Sequence, residues 1–391
     1  MARPHHVLLV PGFFGFANLG DFAYFGHVRD LLAEIGPGLG IDGEIRDLAT
    51  APTASLSRRA ALLAEGISGL LDEHGGEVTI VGHSSGGLDA RLVASPEVSL
   101  PTDADVSRCA AAVRAVVTVA TPHYGTPMAD FFNNLLGQQL LRLLSLSTIY
   151  SLRAGRLPIG VALRLAGLLR RPGARPGGPL EQLFDDLLAD FSPERRRLVE
   201  RFFEALGDDQ DLTAQIAPAG MDVFNASTDD RPGVRYGCVV TQARPPGVRS
   251  ALKAGLDPYA QATHALYVGL HRLAARTPPA KVPPLTLLQA GPLRLAYGRV
   301  PDGRANDGIV PTRSQVRGEV IRAVWADHHD VIGHFRQPTH VPPHHDWLAS
   351  GTGFNRAQFD ELWRTVARWI ATPALPRPAA GAGGRRGGPQ A

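Results

Sequence analysis

The stretch Val78-Thr79-Ile80-Val81-Gly82-His83-Ser84-Ser85-Gly86-Gly87-Leu88 limits what this chain can fold into more than any other. An apolar β-branched run meets the pattern G-x-S-x-G, and helix-compatible residues follow. A serine so placed sits on a sharp strand-to-helix turn, with its Oγ thrust out beyond the end of a sheet. The glycines two before and two after it have a steric reason, because side chains there would collide with the adjoining strand and helix. Ser84 is therefore a candidate nucleophile. A nucleophilic serine also needs a base, an acid to orient that base, and donors for an oxyanion.

The flanking segments read as alternating strands and helices. Val7 to Val10 is a short buried-type strand ended by Pro11-Gly12. The aromatic loop Phe13 to Phe16 follows, a glycine-containing loop of the kind that supplies an oxyanion N–H. Ser55 to Gly75 reads as an amphipathic helix with Leu62, Leu63, Ile67, Leu70 and Leu71 on one face. Val78 to Val81 and Val113 to Ala120 read as strands, with a helix beginning at Gly86-Gly87 between them. That alternation predicts a parallel sheet covered on both faces.

The character changes at Met128. From there to about Gly207 the chain is leucine-rich without strand alternation, broken by a Gly/Pro/Arg linker from Pro172 to Pro179. Residues 128–220 read as an inserted helical cap, with Phe131 to Ile149 as an apolar stripe expected to form a mobile, lipid-facing lid. Residues 1–127 and 221–371 are the two parts of the core. Strands are expected at Val234 to Val240 and Val320 to Trp325, and helices at Tyr259 to Ala275 and Phe359 to Ile370. Pro278 to Pro284 reads as a loop. The Pro/Gly/Ala/Arg-rich residues 372–391 read as a disordered tail.

Two loops after the cap carry the remaining chemistry. Asn306-Asp307-Gly308 places an acid in a turn. The last strand opens into Asp327-His328-His329-Asp330. A base needs an acid to hold its tautomer and to stabilise the imidazolium that forms, so Asp307 and His328 are expected to meet above adjacent strand ends. His329 is the rival base. The wider run His334, His340, His344 and His345, with Asp346, has no H-E-x-x-H pattern on a helix, since Pro342 and Pro343 interrupt the one i, i+4 pair, His340 and His344, which argues against a transition-metal site. His123 reads as a packing residue.

Composition excludes some functions. A net charge of +3, with arginines scattered among a similar number of acids, gives no nucleic-acid footprint. Cys109 and Cys238 read as two buried thiols; nothing requires them to pair. No uncharged apolar run reaches the ~18 residues of a membrane span. No signal segment precedes Val7, so the chain reads as cytoplasmic, or as secreted if such a segment has been removed.

The sequence resembles the bacterial true lipases, triacylglycerol lipases of the α/β-hydrolase superfamily. Four segments carry the resemblance, in family order: Gly82 to Leu88; Thr121-Pro122-His123-Tyr124-Gly125 with Ala129-Asp130-Phe131; Gly233-Val234-Arg235-Tyr236; and Asn306-Asp307-Gly308 followed by His328-His329-Asp330. The resemblance implies an α/β-hydrolase fold with a lid over an acyl pocket. It implies Ser84 as nucleophile, His328 as general base then acid, Asp307 as its orienting carboxylate, and the N–H groups of Phe13 and Ser85 as the oxyanion hole. The expected activity is hydrolysis of acyl esters or lipids without a required cofactor, with contact at a lipid–water interface through the lid. An acyltransferase, a thioesterase or a phospholipase would use the same triad; an intact triad argues against a non-catalytic lipid-binding protein. Many members hold a structural calcium beside the catalytic histidine. Asp330 matches one ligand position, His334 stands where a glutamine is expected, and Asp257 is the candidate for the upstream aspartate. Pro11 replaces the family's usual histidine before the oxyanion-loop glycine.

Overall fold

A computed structural model describes residues 3–13, 24–96, 98–132, 143, 146, 158–170, 179–194, 196–197, 200, 211–276, 282–337, 346 and 348–373. Its centre is one parallel sheet of six strands: β1 (His5–Val10), β2 (Ile45–Asp47), β3 (Glu77–His83), β4 (Val113–Val119), β5 (Arg235–Gln242) and β6 (Glu319–Trp325). Their order is β2-β1-β3-β4-β5-β6, and every pairing is parallel. Parallel neighbours need crossovers, and helices supply them.

Strand alternation sorts the core to the two faces of the sheet. On β1, Val7 and Leu9 pack with Val28 and Leu32 of α1 (Gly26–Ile35) and with Trp363 and Val366 of the closing helix Arg356–Ala371. Leu8 and Val10 face the other way, against Leu63 and Ile67 of α2 (Leu56–His74) and Ala90 and Val93 of α3 (Gly86–Ala94). Burial on both faces is why the strands read as continuous apolar runs. The helix α4 (Val106–Ala112) leads into β4 and buries Cys109. Both cysteines are buried free thiols.

The described part of the 128–220 block is helical. It comprises α5 (Pro127–Phe132) and the helices Ile159–Arg170, Pro179–Ala189 and Asp211–Gln215. Pro179, expected in the linker, instead opens a helix, a position that suits its fixed φ. Phe132, Leu143, Leu146, Leu165 and Leu187 join a buried cluster with Leu266 and Leu270 of the helix Pro258–Ala274. The described residues of the apolar stripe thus face protein at Phe132 and Leu143. Most of Phe131 to Ile149, and residues 374–391 of the expected tail, lie outside the described residues.

Five described helices have no counterpart in the sequence reading: Gly26–Ile35, Val106–Ala112, Pro218–Ser227, Val248–Ala254 and Leu287–Tyr297. The last contains Gly291 and Pro292, which read as breakers. A capping box between Thr286 and Gln289 starts it, and Leu293 and Tyr297 pack it onto Val320 and Ala323 of β6. No described helix is long and apolar enough to cross a membrane.

Candidate active site

The β1–β3 register pairs Val10 with Gly82, which brings Pro11, Gly12 and Phe13 beside the turn at Ser84. That turn is as tight as the motif requires. Ser84 has φ +54°, in the left-handed region costly for a side chain. Among the described residues Ala120, at the end of β4, is the only other non-glycine with positive φ. A Cβ on Gly82 would lie 2.4 Å from the backbone of Gly86, and one on Gly86 2.2 Å from the Val10 carbonyl. A Cβ on Gly12 would meet the Ser84 Cβ at 2.5 Å. The serine N–H donates to the Val119 carbonyl at 2.8 Å, tying the turn to β4. Ser85 occupies the N-cap position of α3 without a side-chain cap bond, at a helix end whose dipole favours negative charge.

Asp307 lies in the β5–β6 connection, folded back on the end of β5 by the Ala243 N–H to Asn306 carbonyl bond of 2.9 Å. Its carboxylate is fully buried and accepts five hydrogen bonds. Oδ1 receives the N–H groups of Ile309 (2.9 Å) and Val310 (2.7 Å). Oδ2 receives the Thr241 hydroxyl (2.8 Å), the Gln315 amide (3.1 Å) and Nδ1 of His328 (2.8 Å). Donors on both oxygens fix the orientation of this buried carboxylate. The backbone N–H of His328 also donates to the Asp307 carbonyl at 3.1 Å.

Ser84, His328 and Phe13 line one narrow apolar cleft with Met128, Ala129, Phe132 and Ile309. Its free volume is about 40 Å³, little more than one water. Phe13 sits at the rim and also packs against both cap-side clusters. The five residues expected at the site are therefore gathered at the carboxyl ends of β1, β3, β5 and β6, the edge where ligands of parallel sheets bind. His328, not His329, faces Asp307. His329 is buried beside it, its N–H donating to Asp327 Oδ1 at 3.0 Å. His123 is buried, with Nδ1 accepting from Arg91 (3.3 Å) and Nε2 bonded to Thr118 Oγ1 (3.1 Å).

Sequence reasoning missed a buried ion pair. Arg59 of α2 and Asp89 of α3 are both fully buried and meet at 2.6 Å. Arg59 also donates to the carbonyls of Pro11 (2.9 Å) and Ala51 (3.0 Å). The pair thus clamps the loop that presents Phe13. The two residues stand 30 apart in the chain, so no local pattern joins them.

The expected calcium ligands also change. Asp330 lies in a group with Asp327 and Asp346, one carboxylate oxygen of each within 4.8 Å of the others. Among the described residues His334 and Asp257 are not part of it. Asp257 accepts the Ala260 N–H at 3.1 Å and caps the helix Pro258–Ala274, as an Asp-Pro pair before a helix should. Burial pushes the Asp327 carboxyl up to about 6, against hydrogen bonds from Ser350 and the backbone. Burial and the neighbouring Asp327 raise Asp330 and Asp346 well above the usual carboxylate range. An oxygen-only set of three acids fits calcium better than a transition metal.

No protein-family model matches the chain. Over 125 residues it is 30% identical to a triacylglycerol lipase of Pseudomonas fragi. The match covers 32% of this chain and 36% of that lipase, so the chain spans about a third of the length of the curated relative it matches. The fold is similar to that of lipase 1 from Pelosinus fermentans, with a TM-score of 0.52 and 17% identity over 94% of this chain and 99% of that one. It is also similar to EstA from Clostridium botulinum, with a TM-score of 0.51 and 17% identity over 96% of this chain and 89% of that one. The chain therefore has the α/β-hydrolase fold, and a 125-residue stretch of it is similar to a bacterial triacylglycerol lipase.

Proposed function

We propose that this protein is a serine carboxylic-ester hydrolase acting on acyl esters. The observation that carries the reading is His328, paired to Asp307 at 2.8 Å, lining one cleft with a serine held at φ +54° on a strand-to-helix turn. In this mechanism Asp307 keeps His328 in the Nδ1–H tautomer, leaving Nε2 to accept the Ser84 proton. Ser84 Oγ attacks the ester carbonyl, and the oxyanion of the tetrahedral intermediate is received by the N–H groups of Phe13 and Ser85. Collapse expels the alcohol with the proton from His328. Water, activated by the same imidazole, then attacks the acyl-enzyme and frees the acid.

The helical block 128–220 serves in this reading as a cap. In this reading the side chains of Phe132 and Met128, which line the cleft, move aside to admit a long acyl chain. Asp327, Asp330 and Asp346 would hold a structural calcium next to the base loop, neutralising three crowded acids. The test is turnover of p-nitrophenyl esters over a series of acyl-chain lengths. The reading predicts ester hydrolysis with a defined chain-length optimum; absence of turnover at every length would overturn it.

A further inference from the structure

The proposed mechanism leaves one buried pair unused. His83, the residue between Gly82 and Ser84 of the elbow, and Tyr24, just ahead of α1, are both buried. The Tyr24 hydroxyl lies 2.6 Å from His83 Nδ1, and His83 Nε2 lies 2.8 Å from the carbonyl oxygen of His328. The Gly12 N–H donates to the Tyr24 oxygen at 3.4 Å.

The chemistry of the partners fixes the direction of each bond. A carbonyl only accepts, so His83 Nε2 must carry the proton and donate to His328. Burial and the adjacent His328 hold the His83 imidazole well below its usual titration range, so the ring is neutral and its Nδ1 has a lone pair. The Tyr24 hydroxyl therefore donates to Nδ1, and its oxygen is left to accept from Gly12. The result is a one-way chain: Gly12 N–H to Tyr24 O–H, on to His83 Nδ1, and from His83 Nε2–H to the His328 carbonyl. It starts one residue before the expected oxyanion donor Phe13 and ends on the backbone of the expected base. Residues 12, 24, 83 and 328 come from four separate segments, which no local pattern joins.

We infer that Tyr24 and His83 are positioning residues, a hydrogen-bonded strut that sets the distance between the oxyanion loop and the base. The strut rests on the proposed esterase reading, since it matters only if Phe13 and His328 act on one intermediate. Neither side chain touches substrate. Both loops are needed together only when charge develops in the transition state, so the strut should act on kcat and leave KM nearly unchanged.

The test compares Tyr24→Phe, His83→Phe and His83→Gln with the wild type on a soluble p-nitrophenyl ester. Tyr24→Phe removes one hydroxyl and keeps the ring. It is expected to lower kcat about tenfold with KM within about twofold, the rate equivalent of one lost hydrogen bond. His83→Phe should lose at least as much. His83→Gln keeps a donor for the His328 carbonyl and an acceptor for Tyr24, so it should recover most of the loss. If His83→Phe fails to fold, Tyr24→Phe and a spectroscopic reading still decide. Nitrogen-15 NMR of histidine-labelled protein near neutral pH should show one ring locked in the neutral Nε2–H tautomer and released by Tyr24→Phe. Wild-type turnover with kcat unchanged in Tyr24→Phe, or a His83 ring protonated at Nδ1, overturns the strut. Absence of turnover in the wild type would instead sink the esterase reading, while the tautomer measurement would still judge the hydrogen-bond chain.

Discussion

His328 and Asp307 are joined twice. The ring Nδ1 meets Asp307 Oδ2 at 2.8 Å, and the His328 N–H meets the Asp307 carbonyl at 3.1 Å. The imidazole and the carboxylate that orients it are thus held as one rigid unit, although 21 residues separate them in the chain. Replacing Asp307 with Asn would put an amide where five donors converge and would favour the wrong histidine tautomer. We expect Asp307→Asn to lower kcat by about 10⁴-fold, as loss of the orienting acid does in a serine triad. Steady-state kinetics check this; a loss below about tenfold would mean that His328 is oriented by something else.

Backbone strain at Ser84 gives a second expectation. A side chain at φ +54° costs about 1–2 kcal/mol, which glycine does not incur. Ser84→Gly and Ser84→Ala remove the same hydroxyl, but only the glycine relieves the strain. Denaturant titration should find Ser84→Gly more stable than Ser84→Ala by about 1 kcal/mol, the strain less the entropy of the glycine. Equal stabilities would show that the turn is relaxed in solution.

The Arg59–Asp89 pair predicts a loss of another kind. Both groups are fully removed from water, so deleting one leaves the other buried without its counter-charge. Asp89→Ala should cost about 3–5 kcal/mol by chemical denaturation. Arg59→Met should cost a similar amount and also release the Pro11 carbonyl, with kcat falling further than stability alone explains. A variant with native stability and native kcat would contradict the clamp.

The acidic trio makes stability depend on pH and on calcium. A carboxyl raised in the folded state stays protonated after the same group in the unfolded chain has ionised. The folded state then binds more protons, so stability falls as pH rises from about 4 through the Asp327 value of about 6, and stays lower above it. A bound dication reverses the cost by favouring the ionised form. Calcium should raise Tm by about 5 °C near pH 7.5 and much less near pH 5, measured against EDTA by calorimetry. An equal effect at both pH values, or none, would remove the site.

What the sequence revealed and what it hid follow from the range of the interactions. The turn at Ser84, the Asn306-Asp307-Gly308 turn and the Asp327-His328 loop were readable because each is a local pattern with a steric or hydrogen-bonding reason. The alternation of strands with helices likewise pointed to the parallel sheet. The clamp of Arg59 on Asp89 and Pro11, and the contact of His83 with His328 across 245 residues, have no local signature. Asp257 misled because a capping aspartate and a metal ligand look alike until the helix after it is placed. The helix Leu287–Tyr297 was hidden by Pro292, whose cost tertiary packing on β6 offsets.

The central claim is that Ser84 is the nucleophile, and one measurement bears on it most directly. Wild-type protein and Ser84→Ala would be compared for hydrolysis of a p-nitrophenyl ester, with circular dichroism showing the fold retained. The account predicts measurable turnover in the wild type and a loss of about 10⁴-fold or more in Ser84→Ala. Turnover in Ser84→Ala at the wild-type rate would contradict it.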